Sequence, residues 1–346
     1  MTAINRLILA SAVFSLLAAS PSAVDGALEW GRDTSSGKTW RLTLGGGMIT
    51  GIEGEVTETV RPYYELIGQE SEGATYSLED LGLSDDVPVF GLEAVKSWKY
   101  LTLRLRAAYF QADADSTATR DYYIGISNDI EYQGREYDHM MIPSGDPFTA
   151  SLDSGLCHLD FLITPVSFRP DDSLEIVPWI YLGLVGVFGQ YDLDAGPARG
   201  TTTYEDPPVE YVIGGQTDGW AGVGVPALGV GGEMTLGRSD GVRLVLSGNW
   251  SIFRYDGSTE YFPIETRHEK DLTLNYDNYE LAARLEFPLS DSMDFFLGGA
   301  YVHYRFDGEL NAKERDPEDI EELREKFDKV FDFRMSSLTG FAGIRF

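Results

Sequence analysis

A single cysteine, Cys157, sets the first limit on this 346-residue chain. One thiol closes no intramolecular disulfide, so the fold rests on no covalent staple even in a compartment that would permit one. Four histidines, none at zinc-ligand spacing, leave no metal cluster to read. Beyond the N-terminus no stretch approaches about 18 consecutive apolar residues, which excludes helical membrane spans. Positive charge is scarce too: 27 Lys and Arg stand against 56 Asp and Glu, for a formal net charge of −29. Such a field repels DNA, RNA and anionic lipid, so no nucleic-acid partner is expected. There is no Gly-x-Ser-x-Gly elbow and no glycine loop ending in Lys-Ser/Thr to cradle phosphate.

What the chain does have is aromatic residues (12%), 38 glycines and a mean hydropathy of only −0.18. That combination suits many strands that are each apolar on one side alone. Segments of period two fall at roughly 39–50, 87–96, 99–111, 150–166, 173–190, 222–236, 241–255, 272–287, 293–307 and 332–346. The connections alternate in length. Short ones carry turn residues, as in Arg169-Pro170-Asp171-Asp172, Arg238-Ser239-Asp240 and Pro288-Leu289-Ser290-Asp291. Long ones occupy 51–86, 112–149, 191–221, 256–271 and 308–331.

The two ends carry the local signals. Met1 to Asn5 with Arg6 form a short positive region, and Leu7 to Ala19 an apolar run of signal-peptide length. Small residues and Pro21 follow, which places cleavage between Ala19 and Gly26 and gives a signal peptide over 1–23. At the other end Leu338, Ala342, Ile344 and Phe346 share one parity of a strand, and Ser337, Thr339, Gly343 and Arg345 share the other. This last strand resembles the closing strand of bacterial outer-membrane β-barrels, a superfamily whose chains typically end in an aromatic residue read by the barrel-assembly machinery.

The resemblance implies an all-β fold: an antiparallel, up-and-down transmembrane β-barrel of about ten strands over 39–346, with a periplasmic segment over 24–38. Short periplasmic turns and long external loops are the asymmetry known for such barrels. It further implies export to the outer membrane of a diderm bacterium, contact with its lipid and with the assembly machinery, and a monomer meeting an unidentified external ligand. A soluble periplasmic sandwich would share the alternation on any one strand; the loop asymmetry and Phe346 favour the barrel.

Alternation then assigns faces. On the third strand Leu101, Leu103, Leu105, Ala107 and Tyr109 face lipid, and on the ninth Phe296, Ala300, Val302 and Tyr304 do so. Cys157 shares the lipid-facing parity of Leu159, Phe161 and Ile163. The inward charges are Arg41, Glu93, Arg104, Arg106, His158, Asp160, Glu175, Glu233, Arg243, Glu280, Arg284, Glu286, His303 and Arg305. An Arg at the bilayer midplane costs ~2–4 kcal/mol, which decides these orientations more firmly than propensity does. A ten-stranded barrel is narrow, so its interior is expected to be mainly a packed ionic network; a narrow ion or solute path is the alternative. Pro165, Pro178 and Pro226 each remove a ladder donor and call for bulges or strand ends.

Three loop features remain. Residues 51–87 hold ten acids (Glu53, Glu55, Glu58, Glu65, Glu70, Glu72, Glu79, Asp80, Asp85 and Asp86) against Arg61 alone. Without an EF-hand register they define no metal site or cofactor, only weak divalent-cation binding. In the last loop Asp316-Pro317 followed by Ile320, Leu323, Phe327 and Val330 predicts a short helix, supported by Glu322 with Lys326 and Glu325 with Lys329. Ten-stranded barrels also include the omptin outer-membrane proteases, which work from paired acids and a His at the rim. Asp113, Asp115 and His268 resemble that set in order, but Thr266 stands where the His-orienting acid would be.

Overall fold

The computed structural model describes residues 28–32, 37–60, 74–77, 81–83, 86–119, 122–132, 135–142, 144–171, 173–201, 210–238, 241–261, 267–315 and 326–346. The signal-peptide reading, the loop acids Glu65, Glu70, Glu72, Glu79, Asp80 and Asp85, and Asp316 to Glu325 lie outside these residues. Every regular element described is a strand: β1 (Leu28–Trp30), β2 (Trp40–Val60), β3 (Ala74–Ser77), β4 (Val87–Ser97), β5 (Leu101–Thr117), β6 (Tyr122–Tyr132), β7 (Arg135–Ile142), β8 (Pro147–Ile163), β9 (Val166–Asp171), β10 (Leu174–Thr201), β11 (Glu210–Leu236), β12 (Arg243–Tyr261), β13 (Arg267–Ser290), β14 (Met293–Arg315) and β15 (Lys326–Arg345).

All pairings are antiparallel, and ten strands close a ring in the order β2, β4, β5, β8, β10, β11, β12, β13, β14, β15 and back to β2. These correspond one to one with the ten segments of alternating hydropathy. The other five decorate the ring: β1 with β9 beneath it, β3 beside β2, and the β6–β7 hairpin above β10. The seam is closed by its first and last residues, with Trp40 N donating to Phe346 O at 2.7 Å and Phe346 N to Trp40 O at 2.9 Å. Where the chain passes beneath the barrel, Gly31 adopts φ +80° and lies against Lys99 and Tyr100, a place that no side chain would fit.

The alternation is what the ring sorts. Leu44 (73% exposed), Leu92, Leu105, Leu184, Leu228, Leu281, Leu297 and Leu338 form an outward apolar band. Trp30, Trp40, Trp98, Tyr100 and Phe346 are exposed at one rim of that band, and Phe90, Tyr109, Phe188, Trp250 and Tyr255 toward the other. Hydrocarbon bounded by aromatic girdles is the environment such a surface fits. Cys157 is exposed on this outward face, as its parity implies.

Two features depart from the expected pattern. The strands run well past the band, β10 to Thr201 and β11 from Glu210, so much of the expected long connection between them is continuous ladder. And the last-loop helix does not form over its described half: Lys326, Phe327, Lys329 and Val330 are strand, all paired with β14 and, from Phe327 on, with β2 as well. Pairing on both sides overrides the local helix propensity of the Glu, Lys and Leu residues, which is a weak prior against tertiary context.

The prolines find ladder ends. Pro165 lies in the turn after β8. Pro178 precedes the first β10–β8 rung, at Ile180, and Pro226 lies just beyond the last β11–β12 rung, Leu228 opposite Ile252. Neither causes a register shift in the β10–β11 ladder, whose one irregularity is at Ala195/Pro197. Above Leu228 and Ile252, β11 and β12 make no rung, so the wall is weakest there among the described residues.

Candidate functional site: the filled lumen

Every inward strand position meets others across a narrow space, so the sequence of each strand decides what fills it. Near the end that carries the short turns the filling is ionic. Arg41 bonds Glu93 at 2.9 Å, Arg284 bonds Glu233 at 2.9 Å and Glu286 at 2.8 Å, and Arg243 bridges Glu286 at 2.8 Å and Asp294 at 2.7 Å. Lys38 reaches Asp294 at 2.7 Å, Arg32 reaches Glu233 at 3.3 Å and Arg345 reaches Glu286 at 3.5 Å. None of these last three cations, nor Asp294, was among the charges that alternation assigned inward. Lys38 and Arg32 lie outside any ring strand, and Arg345 and Asp294 lie at strand tips.

One layer higher, Asp160 is fully buried and receives Arg104 Nε at 2.8 Å, Arg106 at 3.0 Å and the Tyr181 hydroxyl at 2.7 Å. Arg106 also reaches Glu280 at 2.6 Å. Its other amino group donates to His158 Nδ1 at 3.2 Å, and His158 Nε2 lies 3.3 Å from the Tyr304 hydroxyl. A guanidinium can only donate, so Nδ1 is the acceptor and the imidazole proton sits on Nε2, toward Tyr304.

The pairs that matter most are those spanning the diameter. β5 and β13 are five strands apart in a ring of ten, and so are β8 and β14, and β2 and β11. Arg106–Glu280, His158–Tyr304 and Arg41–Glu233 (3.9 Å) therefore each join opposite walls. Toward the end that carries the long connections the filling turns apolar. Ile49, Ile52, Val87, Val89, Phe110 (1% exposed), Ala112, Ala150, Phe306 and Met335 pack in one core with the loop residues Leu83 and Ala118 and with Ile142 at the end of β7. A bulge helps here: β2 slips by one residue against β15 at Thr50, so both Ile49 and Ile52 turn inward.

Eleven of the fourteen expected lumen charges join this network or its edge: Arg41, Glu93, Arg104, Arg106, His158, Asp160, Glu233, Arg243, Glu280, Arg284 and Glu286. Glu175 sits at the rim that carries the short turns, paired with Arg169 of β9 at 3.1 Å. His303 and Arg305 are corrections. On β14 the inward parity is that of Asp294, Phe296, Tyr304 and Phe306, all buried. His303 faces outward, stacked on Tyr279 with ring centroids 4.8 Å apart and bonded to Ser336 at 2.9 Å. Arg305 is 41% exposed and pairs with Asp307 at 3.0 Å. Phe296 and Tyr304, expected on the lipid face, are lumen residues.

The omptin-like set is not assembled. Asp113 and Asp115 are exposed on the outward parity of β5, opposite Ser151 and Thr149 of β8, and with Asp194 they line a shallow surface recess. His268 lies on β13, across the ring, its backbone paired with Tyr261 and Glu314. Two carboxylates aimed away from the mouth have no path to a His on the far wall. Among the described residues no group of His, Cys, Asp and Glu has metal-binding geometry, and Asp86, the loop acid placed beside Val87, adopts φ 62°.

No protein-family model and no curated protein matches the sequence. Solved structures do match in part. The outer membrane protease OmpT of Escherichia coli aligns over 87% of this chain and 96% of its own, at 9% identity and a TM-score of 0.38. A Pseudomonas aeruginosa FadL homologue aligns over 88% and 89%, at 10% identity and a TM-score of 0.23. The P. putida toluene transporter TodX aligns over 88% and 89%, at 9% identity and a TM-score of 0.20.

Proposed function

We propose that this chain is an integral β-barrel of the outer membrane of a diderm bacterium, with a lumen shut to solutes, and that it acts at the cell surface through its external strands and loops as a structural or surface-interaction protein. The observation that carries this reading is the trio of contacts across the diameter, Arg106–Glu280, His158–Tyr304 and Arg41–Glu233. A solute moving through would have to separate buried ion pairs and then an apolar core, with no hydrated path in compensation. The outward leucine band and its aromatic rims supply the fit to a bilayer, and the excess of acid supplies external loops that stay soluble beside it.

The test is planar-bilayer recording of the refolded protein, with heat-modifiable gel mobility as the check that the barrel has closed. A flat trace with a correctly folded barrel is the expected result. Reproducible conductance steps would overturn the reading in favour of a narrow channel.

A further inference from the structure

Most of the described cations are held by a carboxylate; one stretch of rim carries two that are not. Trp30, Trp40, Lys96, Trp98, Lys99 and Tyr100 lie together at the end with the short turns, where β1, β2, β4 and β5 meet. They include three of the six tryptophans, all exposed. Trp40 stands opposite Lys96 on the β2–β4 ladder, and the Lys96 ammonium lies 4.8 Å from the ring centroid of Trp40 and 6.0 Å from that of Trp98. The Lys99 ammonium lies 5.3 Å from the Tyr100 ring. Gly31 rests against the side chains of Lys99 and Tyr100, which brings Trp30 to the same place.

The backbone beneath is pinned. Trp98 N donates to Leu101 O at 2.7 Å across the turn, Ser97 N to Thr39 O at 2.8 Å, Arg32 N to Lys99 O at 2.6 Å and Thr164 N to Tyr100 O at 2.9 Å. A turn tied to three other segments presents its side chains from a fixed frame, so a ligand has little ordering left to impose. What those side chains offer is donors. Lys96 gives one N–H to the Thr39 hydroxyl at 2.7 Å, and among the described residues no carboxylate pairs with either ammonium. The indoles and the Tyr100 hydroxyl add donors at the same level. The turns that join the other ring strands at this end carry Asp171, Asp240 and Asp291, whereas Ser97-Trp98-Lys99-Tyr100 carries no acid.

We propose that this stretch of rim binds the phosphate of an anionic phospholipid, with Lys96 and Lys99 at the phosphate, the indoles at the level of the glycerol esters, and the exposed Leu42, Leu101 and Leu105 against the acyl chains. The inference rests on the membrane-barrel reading proposed above. A free inorganic anion would use the donors but leave the indoles and leucines uncovered; a phosphodiester that continues into hydrocarbon covers both. The net charge of −29 does not forbid it. The outward carboxylates of β5, Asp113 and Asp115, lie ten or more residues along the strand from Leu103, the partner of Lys96. That is about 30 Å at the strand rise, several Debye lengths in physiological salt. Glu29 of β1 is exposed, and bonds to neither ammonium.

The test is tryptophan quenching in the refolded full chain, in mixed vesicles of phosphatidylcholine and phosphatidylglycerol where one lipid or the other carries dibrominated chains. The expected result is a preference for phosphatidylglycerol on the order of tenfold, lost in Lys96→Gln/Lys99→Gln and kept in Arg169→Gln at the neighbouring turn. Equal quenching by the two lipids would overturn the site and leave the barrel reading standing. Quenching by neither would mean that the rim meets no bilayer, and would sink both. A preference lost as fully in Arg169→Gln would assign it to the general charge of the rim, and one abolished by inorganic phosphate at matched ionic strength to a free-anion site; either overturns the proposal. Heat-modifiable gel mobility shows that each variant has closed.

Discussion

The two halves of the lumen solve the same problem with opposite chemistry. At the end with the short turns the space is filled by Arg, Glu and Asp joined in a continuous network; at the end with the long connections it is filled by Ile49, Val89, Phe110, Ala112, Phe306 and Met335. Their failure modes differ in kind. In the ionic half, what a substitution costs is set by what it leaves behind, because a buried charge without its partner has neither water nor ion. In the apolar half the cost is set by what is taken away, in proportion to lost volume. The ionic half is also directional, which fixes which wall faces which. The apolar half imposes no such choice.

The sharpest way to break that contrast is Asp160→Ala. It takes from Arg104 its 2.8 Å partner, leaving Glu280 at 3.6 Å, takes from Arg106 one of its two carboxylates, and removes the acceptor of Tyr181, for an expected loss of about 3–5 kcal/mol by guanidinium titration in phospholipid vesicles. Removing charge from both sides, as in Asp160→Leu with Arg104→Met, leaves the Arg106–Glu280 pair intact and should recover at least half of that loss. A double variant no better than the single would mean that the ionic half obeys the same volume rule as the other.

Next in size is a graded pair at one apolar site. Ile49 is fully buried, so Ile49→Ala should cost about 3 kcal/mol and Ile49→Val about 1 kcal/mol by the same titration. The step, not the absolute value, carries the comparison. A valine variant as damaged as the alanine variant would point to a directional role that the apolar packing does not have.

The sequence reading succeeded where one parity was charged and the other greasy. On β5, Arg104 and Arg106 between Leu103, Leu105 and Ala107 leave one orientation, and the ring has it. On β14 both parities are apolar or aromatic near the middle, Phe296 and Tyr304 on one, Leu297 and Tyr301 on the other. Arg305 was then given too much weight. It lies where it is 41% exposed, above the depth at which a lipid-facing Arg is penalised. The informative residue was Asp294 at the strand's deep end, buried and held by Lys38 and Arg243. The apolar core was legible only in part. Phe110 and Ala112 share the inward parity of Arg104 and Arg106, but only the ring brings them beside Val89 and Leu152 in one core. The extension of β15 through Phe327 likewise depended on two neighbouring strands far away in sequence.

The smallest expected effect concerns the same carboxylate chemistry in open water. Asp171, at the turn between β9 and β10, accepts the Ser173 hydroxyl at 2.6 Å and the Ser173 backbone N–H at 2.7 Å. The hydroxyl first, then the amide, hold its carboxyl below the usual carboxylate range. A lowered value means that these bonds are complete above the ordinary Asp range and are lost as pH falls through Asp171's own lower one. Ser173→Ala should raise the Asp171 titration in carboxyl carbon NMR toward the ordinary range, with the remaining amide bond keeping part of the shift. Global unfolding should not move, because the carboxylate stays hydrated whether or not the hydroxyl is there. That is the contrast with Asp160 at its plainest: a donor removed from a solvated acid changes when the acid titrates, while a partner removed from a buried one changes whether the barrel holds. A measurable loss of barrel stability in Ser173→Ala would show that the turn is coupled to the ionic half rather than hanging below it.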